Sequence, residues 1–178
     1  MKRVLSCIAV VLCAFGGVRV QTQSPAASAT LRTMKVLPAV WSVEGASAAV
    51  EACRLKGYYV SAAVVGADGL RQVVIRGDGA TPHTIENSFN KAYTMITLGP
   101  IQKKDTTGEI QQAVTRPAFS TSMPPSSLPG LTFVPGGIAV KVDGQVIAGL
   151  GVSGAPDGNI DEACARAGLA KIETHLKR

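Results

Sequence analysis

The chain carries 2 histidines and 4 cysteines, so its options for metal-binding or nucleophilic chemistry are few. His83 stands in Pro82-His83-Thr84, between a glycine-rich break and a run of helical periodicity. A neutral imidazole there can serve a transition metal; the ordinary alternative is a surface or capping histidine. Ten residues on, Lys91-Ala92-Tyr93-Thr94 offers a phenol that can ligate a metal or stack on a flat ligand, next to a threonine able to line a pocket. Tyr93 also reads as a core aromatic beside Phe89. Lys91 and Arg76 are candidate partners for a ligand's carboxylates, or ordinary surface charges. Met95 and Met123 could ligate a metal through sulfur or simply fill core gaps. His175, close to the chain end, is expected to be solvated. Two histidines are too few for a multi-histidine centre, and four widely spaced cysteines match neither a zinc site nor a small disulfide-rich fold. Ser153, Cys53 and Cys164 have no histidine near them in sequence. An acid–base reading would rest on His83, Asp78 or Tyr93.

Gly149-Leu150-Gly151-Val152-Ser153-Gly154 is a literal G-x-G-x-x-G after a strand-like run. A dinucleotide site needs a helix to begin inside that motif and a parallel strand after it. Here Pro156, Asp157 and Gly158 intervene before the helix, and only that helix follows. These glycines are expected to let a strand pass close to another backbone or a ligand. Asp157 and Asp161 already bring negative charge to the start of the last helix, so self-capping is expected there rather than anion binding.

The elements that must position these residues follow from periodicity. A helix is expected over about 37–56, with Val36, Val40, Val43, Ser47 and Val50 at helical spacing. Strands Tyr58–Val65 and Leu70–Arg76 flank the turn Ala67-Asp68-Gly69. A second helix spans about Thr84–Leu98, capped by Thr81 or Thr84 and ended by Gly99-Pro100. Residues 101–130 form a polar excursion suited to a lid or an interface, with a short helix near Thr107–Val114. Then come a short strand Leu131–Val134, a hairpin of Ile138–Val142 and Gln145–Val152 about Asp143-Gly144, and a last helix from about Ile160 to Leu176. Hairpin-linked strands with helices between them indicate an α+β domain on an antiparallel sheet.

The whole chain has 178 residues, room for one domain. Its 46% hydrophobic and 17% charged composition is too apolar for a disordered chain. Lys2 and Arg3 precede an apolar run, Val4–Val18, too short for a stable membrane span and suited to a secretory leader. Residues 1–29 are read as leader and polar linker, with cleavage between about 20 and 29, and 30–178 as the domain. Losing Lys2, Arg3 and Arg19 and no acid lowers the net charge from +6 to +3. The remaining cations form no stripe, so nucleic acid is not an expected partner. A periplasmic or extracellular location without a stable membrane span is expected.

Four segments in order resemble the GlcG/HbpS family of haem-binding uptake proteins: residues 60–80 (VSAAVVGADGLRQVVIRGDGA), Pro82-His83-Thr84 with Lys91-Ala92-Tyr93-Thr94, Gly136-Gly137-Ile138 with Val142-Asp143-Gly144-Gln145-Val146-Ile147, and residues 149–169 (GLGVSGAPDGNIDEACARAGL). The resemblance implies a profilin-like antiparallel sheet flanked by helices, homo-oligomeric assembly, and an exported haem carrier or sensor. A small-molecule enzyme, such as a haem-degrading or cofactor-processing activity, is the alternative. On this resemblance His83 is the candidate iron ligand. Thr94 matches a threonine implicated in haem binding in the family, suited to lining the pocket rather than to coordination; Tyr93, Lys91 and Arg76 stay candidate haem contacts on their side-chain chemistry, with the core and surface readings above as alternatives. The chain departs from the pattern in having no histidine in its first helix and no D/E-x-x-E motif.

Cys53 and Cys164 are the two cysteines beyond the leader, in the similar contexts Glu51-Ala52-Cys53 and Glu162-Ala163-Cys164. An exported chain meets oxidising conditions. First and last helices packed side by side, as in a profilin-like fold, would allow a disulfide. Two buried reduced thiols are the other reading.

Overall fold

In the computed structural model, residues 33–115 and 128–177 are described. The leader and Met123 lie outside them, as does part of the polar excursion. The elements run α1 (Ala39–Arg54), β1 (Ser61–Gly66), β2 (Arg71–Arg76), α2 (His83–Gln102), α3 (Thr107–Val114), β3 (Gly137–Val142), β4 (Gln145–Ser153) and α4 (Gly158–Leu176). Every strand pairing is antiparallel, in the order β2-β1-β4-β3.

Both hairpins close as their turn residues require. In the first, Gly69 takes φ 83° and the Leu70 N–H donates to Asp68 Oδ1 at 3.0 Å. In the second, Asp143 and Gly144 both adopt positive φ, 51° and 76°, the pair of left-handed residues a two-residue hairpin favours. Asp157 caps α4 through Oδ1, accepting from the Asn159 N–H at 2.8 Å.

Alternation along β4 sends Gly149 and Gly151 to one face and Leu150 to the other. The glycine face meets α2. A Cβ on Gly149 would lie within 3.0 Å of the Ala92 carbonyl, and one on Gly151 equally close to that of Ser88. Gly137, paired with Gly151 on β3, would likewise strike the Lys91 carbonyl. Ala63 and Ala139 sit beside these glycines on the neighbouring strands. The G-x-G pattern therefore seats a helix backbone directly on the sheet, the close approach its spacing anticipates.

The opposite face carries the main core, where Ala62, Val64, Ile138, Val140, Leu150 and Val152 pack beneath α1 and α4. The two helices touch through small residues. A Cβ on Gly168 would lie 2.5 Å from the Gly45 carbonyl and 2.9 Å from Ala49 Cβ. This corrects the expected valine stripe of α1. The buried face is Ser42, Gly45, Ala46, Ala49 and Cys53, while Val40 and Val43 are exposed. Close helix–helix contact selects the small side chains and turns the branched ones outward.

Three further expectations are corrected. Helix α2 continues through Gly99-Pro100 to Gln102 and ends at left-handed Lys103. Proline normally excludes helix in the residue before it by striking that residue's Cβ, and Gly99 has none. Residues 131–134 form no strand. The N–H of Thr132 donates to Thr94 Oγ1 at 3.0 Å and that of Val134 to Thr132 Oγ1 at 3.3 Å, so side chains take the donors a ladder would use. Neither Thr81 nor Thr84 caps α2. The Thr84 hydroxyl turns inward, donating to the Thr81 carbonyl at 2.6 Å and lying 2.7 Å from Ser61 Oγ.

Cys53 and Cys164 are bridged by a disulfide with a Cα–Cα distance of 5.5 Å, and both are fully buried between α1 and α4. The bridge closes 111 residues of sequence. Replacing both cysteines by alanine should lower stability by about 5 kcal/mol, the chain-entropy value for a loop of this length. Urea denaturation of the variant checks the loss, and peptide mapping without reductant should recover the linked Cys53–Cys164 peptides. An unchanged midpoint and slope would contradict the expectation.

Candidate functional site

Of the site residues singled out in sequence, Arg76 ends β2 and the other four lie on α2. Lys91 and Thr94 are buried within it, whereas His83 opens it and Tyr93 lies half-buried on its outer side. Lys91 is the largest side chain in the interior, 1% exposed. Its Nζ donates to Asp161 Oδ2 at 2.7 Å, and the Asp161 side chain is 3% exposed. The ammonium expected to face a ligand carboxylate is thus engaged with α4. Asp161 Oδ1 also accepts the Ala155 N–H at 2.9 Å, so one carboxylate orders the loop before α4 and receives the lysine. Gly136 leaves room for the pair: a Cβ there would lie 2.7 Å from Lys91 Nζ and 2.9 Å from Asp161 Cβ. Burial pushes the Lys91 ammonium below the ordinary lysine range and the Asp161 carboxyl above the ordinary carboxylate range, each partner's charge opposing the shift of the other.

Thr94 is fully buried, donates from Oγ1 to the Asn90 carbonyl at 2.8 Å, and holds Thr132 in place. Tyr93 stacks at a tilt on Phe89, ring centroids 5.5 Å apart, and lies against Gly69 and Gly130. Met95 is core, packed with Ile110 and Ala139. The Arg71 guanidinium lies 4.1 Å from the Phe89 ring centroid and pairs with Glu86.

His83 is exposed at the first position of α2, and its ring has no partner among the described residues. The loop before it joins it to Arg76, whose Nε donates to the Ala80 carbonyl at 2.7 Å. A shallow hollow of about 230 Å³ is lined by Arg76, Gly77, Asp78 and Gly79. The Tyr59 ring lies 3.3 Å from where a side chain on Gly79 would begin, a neighbour the sequence did not signal. His83 and Tyr93 are ten residues apart on α2, about 15 Å along its axis. Arg76 lines the hollow, His83 stands seven residues on in sequence at the start of α2, and Tyr93 lies further along that helix. Ser153 accepts from Asn87 Nδ2 at 2.9 Å.

A second imidazole is more enclosed than expected. His175 stacks on Trp41, with ring centroids 4.9 Å apart and planes 8° from parallel, and its Nε2 lies 3.1 Å from Glu44 Oε2. A pocket of about 460 Å³ opens beside them. No local spacing links residues 41 and 175. The disulfide does: counting from Cys53 and Cys164 in opposite directions along antiparallel helices brings them together. Among the described residues no cluster of three or more His, Cys, Asp or Glu could hold a metal ion, and no helix is long and apolar enough to cross a membrane.

The model of the HbpS-like family, described as haem degrading protein HbpS-like, matches residues 42–170. The chain belongs to this family. The crystal structure of HbpS shares 35% identity with it, covers 83% of this chain and 97% of its own, and superposes with a TM-score of 0.69. A PduOC:haem complex is 27% identical over 78% of this chain and 96% of its own, TM-score 0.67. Klebsiella pneumoniae protein ORFY, at 23% identity, covers 82% of this chain and 98% of its own with a TM-score of 0.68, and shares the fold. No curated protein matches the chain. The α+β architecture of an antiparallel sheet flanked by helices is that of the HbpS-like relatives.

The buried pair yields a test. Lys91→Met strands the Asp161 carboxylate and should cost about 3–5 kcal/mol at neutral pH. Without its cation, Asp161 titrates still higher in the folded state, which then binds more protons than the unfolded chain. Stability of the variant should therefore fall as pH rises from below about 4, the unfolded carboxyl value, through the folded value. Lys91→Met with Asp161→Asn should recover much of the loss. Urea denaturation at pH 4.5 and 7 checks both; equal losses at the two pH values, or additive effects in the double variant, would contradict the assignment.

Proposed function

We propose that this chain is an exported haem-binding protein that carries haem or reports its presence. The match of residues 42–170 to a haem-associated family carries this reading, with PduOC, solved as a haem complex, in its support. His83 fits the iron as a free, accessible imidazole, and Arg76 has guanidinium nitrogens to offer a propionate. Tyr59 adds an aromatic surface. Tyr93 flanks this arrangement further along α2, while Thr94 and Lys91 hold the helix from beneath. The hollow at Arg76–Gly79 is smaller than the 300 Å³ or so at which enclosed ligand pockets begin. Haem seated there stays largely open unless a second copy of the chain covers it, which agrees with a homo-oligomer. When bound, haem supplies iron-centred redox and ligand-binding chemistry.

The family's description names haem degradation, which keeps the enzymatic reading in play. Titrating the purified protein with haemin separates the two. A carrier or sensor gives a saturable Soret band that persists with reductant in air; a degrading enzyme gives a band that disappears under those conditions. His83→Ala should shift the band or weaken binding at least tenfold, about 1.4 kcal/mol. Absence of any saturable band would overturn the haem reading, and an unchanged His83→Ala titration would remove His83 from it.

Export is supported by the leader-like residues 1–20 and by the Cys53–Cys164 disulfide, a bond characteristic of oxidising compartments. N-terminal sequencing of protein recovered from the periplasm or medium should begin between about residues 20 and 30. Cytosolic protein beginning at Met1 would contradict export.

A further inference from the structure

The pocket beside Trp41 and His175 is built from α1, α4, the β3–β4 hairpin and the segment before α1. Val36, Pro38, Val142, Ile147 and Leu176 line it with apolar surface, and Lys35 and His175 are its polar groups. Its volume of about 460 Å³ falls within the range that takes small organic ligands, and a mostly apolar wall with few polar groups is the usual composition of such sites. Two features give this pocket a chemistry. First, its aromatic wall is ordered before any ligand arrives: Trp41 and His175 lie parallel, and the Glu44 contact fixes the imidazole at Nε2. Second, its cation is exchangeable. Lys35 is bonded to Asp143 at 2.5 Å, but their side chains are 44% and 79% exposed, so the pair is screened by water and a ligand anion can replace the carboxylate. Lys171, 3.9 Å from Glu44, offsets the one carboxylate behind the stack.

We propose that this pocket binds a small aromatic acid, its ring against Val36, Ile147 and Leu176 beside the Trp41–His175 stack and its acid group at Lys35. This site shares no residue with the Arg76–Gly79 hollow, does not include His83 and does not depend on haem binding. Trp41 is the only tryptophan of the chain, so one indole N–H signal reports on this pocket alone.

The test is a titration of the purified, ¹⁵N-labelled protein with 2-naphthoate, followed through the Trp41 indole cross-peak, with uncharged 2-naphthalenemethanol as the matched control. The expected result is a saturable shift with naphthoate and binding about fivefold weaker for the alcohol, the worth of one exposed charge pair. Lys35→Gln should bring naphthoate to the alcohol's level and leave the alcohol unchanged. Val36→Asp, at a position 71% exposed and so harmless to folding, should abolish both. A cross-peak that does not shift saturably, equal binding of acid and alcohol, or naphthoate binding indifferent to Val36→Asp would each overturn the proposal. None of these outcomes bears on the haemin titration, so the two readings fail separately.

Discussion

Helix α2 rests with its backbone on the sheet because Gly137, Gly149 and Gly151 present no side chains to it. Most helix–sheet contacts are spaced by interdigitating side chains; this one brings carbonyls of Ser88, Lys91 and Ala92 to where Cβ atoms would be. Once the helix lies this low, the residues on its buried arc have little depth to occupy. Thr84, Ser88, Ala92 and Thr94 suit that depth, and Met95 packs with Ile110 and Ala139 in a second cluster. Lys91 does not suit that depth, and its long stem extends past Gly136 to reach Asp161 on α4. The ion pair is thus a consequence of the close packing and also its lock, since it joins α2 to the helix layer on the other face of the sheet.

That lock is not a simple gain in stability. Taking an ammonium and a carboxylate out of water carries a penalty that their attraction offsets only with good geometry and further hydrogen bonds. The directions of the two pKa shifts say that burial outweighs pairing for each group. What the pair supplies is position. An Asp161 committed to both Lys91 and the Ala155 N–H admits one arrangement of the loop before α4 and one seating of α2.

Much of this architecture was readable in sequence, and the misreadings share a cause. The hairpin turns, α3 and the antiparallel α+β class follow from local chemistry: Asp-Gly pairs, capping residues and alternating runs. The errors come where small residues bury and large ones do not. Periodicity scored on apolar size marked Val40 and Val43 as the core stripe of α1, yet contact with Gly168 selects Gly45, Ala46 and Ala49. The same blindness put Lys91 at the surface, because nothing near it in sequence announces Asp161 seventy residues away. His83 and Arg76 were singled out from a local pattern, one short loop apart in sequence. Trp41, Glu44 and His175 were not brought together, because their proximity exists only after α1 and α4 are bridged in antiparallel register.

The same packing decides where a ligand can go. Glycine against helix backbone on one face, and small residue against small residue between α1 and α4 on the other, leave no slot between the layers at those contacts. A flat ligand cannot enter there without separating elements tied by the Lys91–Asp161 pair and the Cys53–Cys164 bridge. Space opens instead at the margins: at the loop that delivers His83, and where α1 begins and α4 ends around Trp41 and His175. At the second, an imidazole stacks on an indole; at the first, His83 stands exposed at the start of α2. A rigid interior with functional groups at its edges suits a protein whose scaffold holds still while loops, neighbouring copies or ligands complete the site.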